Sequence, residues 1–248
     1  MASKSKSFTA AQFSEFTASR HSTRAFLPTE VDQSILDQLL TDAMTSPSWS
    51  NTRPYMVAIA TGERRERISK ELVRRSDALT AGRRGNLLAK AKLILTWFAL
   101  PHSDYKIVRP YPKQLNERSK RIGKGLYDAL GIARNDIAGR DAQWRSNFEF
   151  FGAPVELFIF THTGLDEYSV SDAGIFMQTL MLSAHAHGLG TCAQGSAAIW
   201  AEPVKREFQI PKEYNLLCGI AVGYPADESI NDFRAERIDI SEIIAKPV

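Results

Sequence analysis

The feature that most limits the fold is a set of short, apolar, β-rich runs scattered along 248 residues without a regular βαβ rhythm. They are residues 55–60 (YMVAIA), 93–100 (LILTWFAL), 155–162 (VELFIFTH) and 216–222 (LLCGIAV). Residues 191–198 form a fifth candidate, a short small-residue strand or loop. A continuous apolar run such as LILTWFAL suits a strand covered on both faces. Four or five such strands call for one central sheet flanked by helices.

Helical patterns fill the gaps. Residues 8–19 read as a short helix. After Pro28, Val31, Ile35, Leu36, Leu39, Leu40 and Ala43 recur at helical spacing. Residues 63–77 are charged, with Ile68 and Leu72 on one face. Residues 170–187 read as a long helix stopped by Gly188 and Gly190. Pro203 opens a helix over 203–208. The stretch 101–141 is polar and basic, contains Pro101, Pro110 and Pro112, and reads as an insertion with helical pieces near 118–130 and 140–151. Residues 1–7 read as disordered. The tail 224–248 is extended and polar, and ends in Ile243 and Ile244. It reads as a segment that a partner subunit receives, not one that buries itself.

Composition narrows the function classes. A formal charge of +3 is too mild for a nucleic-acid binder but suits small anionic ligands. Cys192 and Cys218 form no CxxC pair or disulfide framework. No apolar run approaches the ~20 residues of a membrane span. The first residues lack an apolar signal core, so the expected location is cytoplasmic. The histidines lack metal-ligand spacing, no GxSxG elbow occurs, and Cys192 has no base partner in sequence.

Four segments carry candidate chemistry. Arg20-His21-Ser22-Thr23-Arg24 sets two guanidiniums and two hydroxyls within five residues, donors matched to phosphate oxygens. A basic surface turn has the same composition. Residues 46–55 (SPSWSNTRPY) offer polar donors beside the flat surfaces of Pro47 and Trp49, or simply a turn with a buried tryptophan. Residues 188–195 (GLGTCAQG) let backbone N–H groups approach a ligand, although they follow a helix and so are no dinucleotide fingerprint. Residues 231–237 (NDFRAER) add Arg234 and Arg237, or a solvated, salt-bridged tail.

Together these segments resemble the nitroreductase (FMN reductase) superfamily, in the pattern of its nitrobenzoate-reductase-like members. RHSTRAF is similar to the N-terminal flavin motif, and SPSWSNTRPY to the PSSxNxQPW loop. FFGAPVELFIF, DAGIFMQTLMLSAHAHGLGTCAQG and GIAVGYPAD followed by NDFRAER are similar to the later strands, core helix and C-terminal segment. The likeness spans about residues 15 to 245. It implies an α+β fold: a mixed, mainly antiparallel sheet flanked by helices, in an intertwined homodimer with a swapped C-terminal tail. One domain, 1–248, is expected, with 101–141 as a helical lid.

The resemblance also implies roles. Arg20 and Ser22, with His21 nearby, are expected at the FMN phosphate and ribityl end, and Arg24 near the N1–C2=O edge. Pro47, Ser48, Trp49 and Asn51 are expected against the ring from the other subunit. Ala193, Gln194 and Gly195 are expected beside N5, and Arg234 and Arg237 at the phosphate. Arg53 stands where glutamine is common and, with Tyr111 and Tyr127, is expected to meet substrate. The implied activity passes two electrons from NAD(P)H through FMN to a small aromatic acceptor, nitroaromatic or quinone-like, by a ping-pong mechanism. No side chain need act as a catalytic acid or base. An ene-reductase, a dehalogenase of the same superfamily and a non-catalytic flavin-binding protein stay open. For the dehalogenase, the order of Glu117, Lys124 and Tyr127 departs from the expected clamp.

Overall fold

The structure, a computed structural model, describes residues 8–85, 88, 90, 91, 93 and 97–247. At its centre lies a four-stranded sheet of order β1-β2-β4-β3, built from β1 (Tyr55–Thr61), β2 (Val155–His162), β3 (Gly190–Gln194) and β4 (Tyr214–Gly223). All three pairings are antiparallel. Among the described residues the sheet is therefore antiparallel and not mixed; parallel pairing occurs at the isolated bridges Ser22↔Thr191 and His102↔Trp200.

Side chains alternate across a strand, so β2 feeds two cores. Phe158 and Phe160 join Ile68 and Leu72 of α3 (Gly62–Arg84) and Trp200 on one face. Leu157 and Ile159 join Leu36 and Leu39 of α2 (Gln33–Ala43), and Phe176 and Leu180 of α6 (Asp166–Ala186), on the other. Both faces being covered explains why this strand reads as a continuous apolar run. α1 (Ala10–Ser19) starts at a capping box, with Thr9 and Gln12 bonding each other's backbone N–H.

The structure departs from the sequence-based expectation in several places. The described part of 93–100 is no strand: Leu93 is helical, and residues 97–100 form a turn in which Trp97 is exposed at a φ of 52°. Residues 94–96 lie outside the described residues, as does the disorder expected for 1–7. An apolar run of this length fits a helix or a strand equally, so its periodicity does not decide between them. α3 runs on to Arg84 because Leu79 and Gly82 continue the buried face. α6 starts at Asp166, where Asp166 and Glu167 face the positive helix end. α7 spans Ala201–Lys205, and β3 ends at Gln194 in a 3-10 turn over Gly195–Ala198.

The 101–141 stretch supplies α4 (Lys113–Ala129) and the start of α5 (Ile137–Ser146). The tail lies along α4 of its own chain, with Glu236 paired to Arg121 at 2.8 Å and Glu242 to Arg118 at 2.9 Å. Ile240, Ile243 and Ile244 remain exposed.

One polar group sits inside the sheet. Glu156 of β2 is fully buried, and neither carboxyl oxygen has a hydrogen-bond partner among the described residues. Its side chain lies over Gly219 of β4, where a Cβ would collide with Glu156 Oε1 and meet Ala197 Cβ at 2.8 Å. Burial pushes this carboxyl well above the usual carboxylate range; Arg65 acts in the opposite sense and is outweighed. Burial likewise lowers Arg65, against the pull of Glu156, so desolvation dominates both partners.

Candidate functional site

Segments from opposite ends of the sequence meet at one cleft. Where α1 stops, the backbone turns extended at Arg20 and lies against the sheet edge. Ser22 bridges Thr191 of β3, and Thr23 N–H donates to Thr191 O at 3.0 Å. Gly190 permits this approach, because a Cβ there would stand 2.7 Å from Thr23 Cβ. From the other end, Asn231 acts as the brace. Its Oδ1 accepts from Arg24 N–H at 2.8 Å, and its Nδ2 donates to Ala25 O at 2.8 Å and Ala226 O at 2.9 Å.

The resulting cavity of about 320 Å³ is lined by Arg20, His21, Ser22, Arg24, Phe233, Arg234 and Arg237, among others. No carboxylate among the described residues lines it. Among the described residues these guanidiniums bond carbonyl oxygens alone: Arg24 to Ser22 O at 3.4 Å, Arg234 to Asn231 O at 2.7 Å and Arg237 to Ala235 O at 2.8 Å. Burial, and then the nearby Arg237, lower the Arg20 guanidinium from its ordinary value. Four cations gathered without a counter-charge form a site for an anion, and the forked donors match phosphate oxygens. Asn231→Ala removes three hydrogen bonds and leaves the half-buried Arg24 N–H without its acceptor, while Ala25 O and Ala226 O keep main-chain donors. It should lower unfolding free energy by about 2–3 kcal/mol, measured by urea denaturation, and loosen the cleft.

β3 leads away from this cleft. Ala193 and Gly195 lie two to four residues beyond Thr191, about 7–13 Å at ~3.3 Å per residue, and both are exposed. Gln194 between them is buried; its Nε2 donates to Asn147 O at 2.8 Å, and its Oε1 has no partner. A cationic pocket at one end and open main chain at the other suit a long ligand with a phosphate and a flat ring.

The 47–53 loop is not brought to this cleft within one chain. Trp49 N–H donates to Asp172 at 2.9 Å, and its ring packs at a tilt against Tyr168, with centroids 4.4 Å apart. By contrast, Ser19, beside Arg20, bonds His185 at 2.7 Å. Asp172 and His185 are thirteen residues apart on α6, about 20 Å at 1.5 Å per residue. Ser48 Oγ accepts from Arg53 N–H at 3.0 Å, and Ser50, Asn51 and Arg53 all have positive φ. The Arg53 guanidinium folds back onto Asn51 and Met44 O. Tyr111 is exposed, and Tyr127 faces a second cavity between α4 and α5.

Cys192 is pushed up to about 11 and Cys218 to about 12, chiefly by burial, so both are protonated at neutral pH. No described helix is long and apolar enough to cross a membrane, and no group of three potential ligands among the described residues could hold a metal ion. Sequence reasoning gave no role to three residues that shape the region. Asn231 and Phe233 belong to the tail motif 231–237, and polarity next to an aromatic was their only signal. Glu156 was hidden within an apolar run.

The nitroreductase family model matches residues 17–224. The chain is 34% identical to 4-nitrobenzoate reductase of Pseudomonas putida, over 91% of each chain. It is 30% identical to nitroreductase NfnB of Mycolicibacterium smegmatis, over 90% of this chain and 87% of the relative. Among solved structures, it resembles the FMN- and NADPH-dependent nitroreductase NfnB of Sphigopyxis sp. strain HMH with a TM-score of 0.81 and 28% identity, covering 95% of this chain and 98% of that one. A family match over most of the chain, a shared fold and a cleft that joins distant segments lead to one assignment: the chain belongs to the nitroreductase family.

Proposed function

We propose that this chain is an FMN-dependent NAD(P)H oxidoreductase acting on nitroaromatic acceptors, with quinones as further acceptors. The observation that carries this reading is the gathering of Arg20, Arg24, Arg234 and Arg237 around one cavity without a carboxylate. The names of its relatives agree: 4-nitrobenzoate reductase, and an FMN-dependent NfnB solved with NADPH. FMN, when bound, would supply two-electron redox chemistry between NAD(P)H and the acceptor.

The chain's own part is to bind, orient and polarise. Arg20, Ser22, Arg234 and Arg237 hold the phosphate end, with His21 beside them. Arg24 would set positive charge beside the bound ring, where it favours added electrons. The exposed main chain at Ala193 and Gly195, with Gln194 buried between, borders the ring. The gap of about 20 Å to the 47–53 loop supports a homodimer in which the partner subunit's Pro47, Ser48, Trp49 and Asn51 complete each site. The exposed Ile240, Ile243 and Ile244 support a tail that docks on that partner. In this reading the chain is one cytoplasmic domain, with 101–141 as a lid, and Arg53, Tyr111 and Tyr127 meet the small aromatic substrate.

Purified protein should be yellow, bleach on anaerobic addition of NADPH or NADH, and regain colour with 4-nitrobenzoate. Steady-state plots should be parallel. Colourless protein that takes up no FMN defeats the proposal. Intersecting plots remove only the ping-pong order, and a monomer in light scattering removes the shared site.

A further inference from the structure

Two unpartnered polar groups stand on the same face of the sheet. The first is the Glu156 carboxyl, in which neither oxygen has a hydrogen-bond partner among the described residues. The second is Gln194 Oε1, which likewise has none. Gln194 Nε2 donates to Asn147 O at 2.8 Å, which fixes the amide and leaves Oε1 as the free acceptor. Both residues are buried, Glu156 completely and Gln194 to 3% exposure. Burying a polar group without a partner is costly, so each of the two favours finding one.

The register brings them together. Gly219 of β4 pairs with Phe158 of β2 on one side and with Gln194 of β3 on the other. Directly paired residues share a face, and Phe158 faces the core that holds Trp200, so Gln194 faces it too. Glu156, two residues before Phe158, points the same way. Its Oε1 reaches the space that a Cβ of Gly219 would take. The carboxyl is therefore about 5 Å from Gln194 Cβ, the usual spacing between paired Cβ atoms, and within the length of a glutamine side chain. Gly219 keeps the path between them open, because any side chain there would fill it. Burial holds Glu156 in its neutral form, so it carries an O–H to donate. One group lacks an acceptor and the other a donor, and rotation of the Glu156 side chain joins them.

We propose that the Glu156 O–H donates to Gln194 Oε1 and so holds the main chain of 193–195 in place, which makes Glu156 a positioning residue for electron transfer at the ring edge. This rests on the flavoprotein reading above and adds to it a residue that acts on the ring through another side chain. Asn147 secures the same segment from the other side, since Ser196 Oγ donates to Asn147 Oδ1 at 3.3 Å. Misplacing reacting groups by about 1 Å can cost about a hundredfold in rate.

The test uses the FMN-loaded, full-length protein. In Glu156→Leu the rate of anaerobic bleaching by NADPH should fall about tenfold, the worth of one hydrogen bond. Glu156→Gln, which keeps an N–H donor, should restore most of it. In a Gln194→Leu background the further change Glu156→Leu should cost nothing more, because the two act as one unit. A pH profile reads the proton itself. As pH rises through the folded-state pKa the carboxyl ionises and the donor is lost, so the parent should slow while Glu156→Gln stays level. Arg65 of α3, Cys192 of β3 and Cys218 of β4 are the other charged or titratable groups that face this carboxyl; burial pushes the two thiols up to about 11 and about 12. Infrared absorption gives a readout without turnover. The band of a protonated carboxyl should be present in the parent, missing from Glu156→Gln and shifted in Gln194→Leu. That band and the glutamine pH profile carry the test if the leucine variant proves unstable. A leucine variant as fast as the parent, a glutamine variant as slow as the leucine one, additive losses in the double variant, or a carboxyl band absent or unmoved overturns the inference. If the parent still bleaches in those cases, the flavoprotein reading survives. A parent that takes up no FMN sinks that reading, and the positioning role with it.

Discussion

The double variant Arg20→Ala, Arg237→Ala should purify colourless and bind added FMN at least ~100-fold more weakly than the parent, at about 1.5–3 kcal/mol for each charge-assisted bond lost. Arg20 is half-buried beside Arg237, and the pair faces a cavity without a carboxylate. The proteins should differ much less with riboflavin, which has the ring but no phosphate. Fluorescence titration with both flavins separates the cases. Parallel losses for FMN and riboflavin would mean a damaged fold, and unchanged FMN affinity would move the phosphate elsewhere. Raised salt should weaken FMN binding to the parent more than to the variant, because the contacts removed are ionic.

The second large effect concerns Glu156. Its carboxyl is raised by burial, so the folded state holds a proton that the unfolded chain releases above the ordinary value near 4.5. Stability from this group is fully present below that value. It falls by up to about 1.4 kcal/mol per pH unit as pH rises toward the folded-state pKa. Glu156→Gln removes the titration while keeping the shape. The variant should therefore match the parent near pH 4.5 and gain on it steadily toward neutral pH in urea denaturation with FMN in equal excess. The other charged and titratable neighbours are Arg65, Cys192 and Cys218. Both thiols stay neutral across this range, so the slope reports Glu156. Parallel stability curves at all pH values would show that the carboxyl has a partner that keeps it ionised.

Much of the sheet was legible in the sequence because its signals were local. Residues 155–162 and 216–222 are apolar runs bounded by proline or glycine, and they became β2 and β4. The run 93–100 carried the same local signal, but its described part is helix and turn; chain entry and packing, not composition, decide such a segment. The chemistry of the site was legible as residue types, since guanidiniums and hydroxyls in RHSTR speak for phosphate. Their convergence with Arg234 and Arg237 was not, because it depends on Asn231 joining segments more than two hundred residues apart. Glu156 gave no warning, since one acid in VELFIFTH does not disturb the pattern of a buried strand.

The cleft takes its walls from residues near 20 and residues near 235. During synthesis the first wall emerges early and waits, while the arginines that face it leave the ribosome only after the whole sheet has been made. All four guanidiniums are therefore available together only after the last strand of the sheet has been made. A message cut short before residue 234 would still encode β1 to β4 but only two of the four arginines that line the cleft.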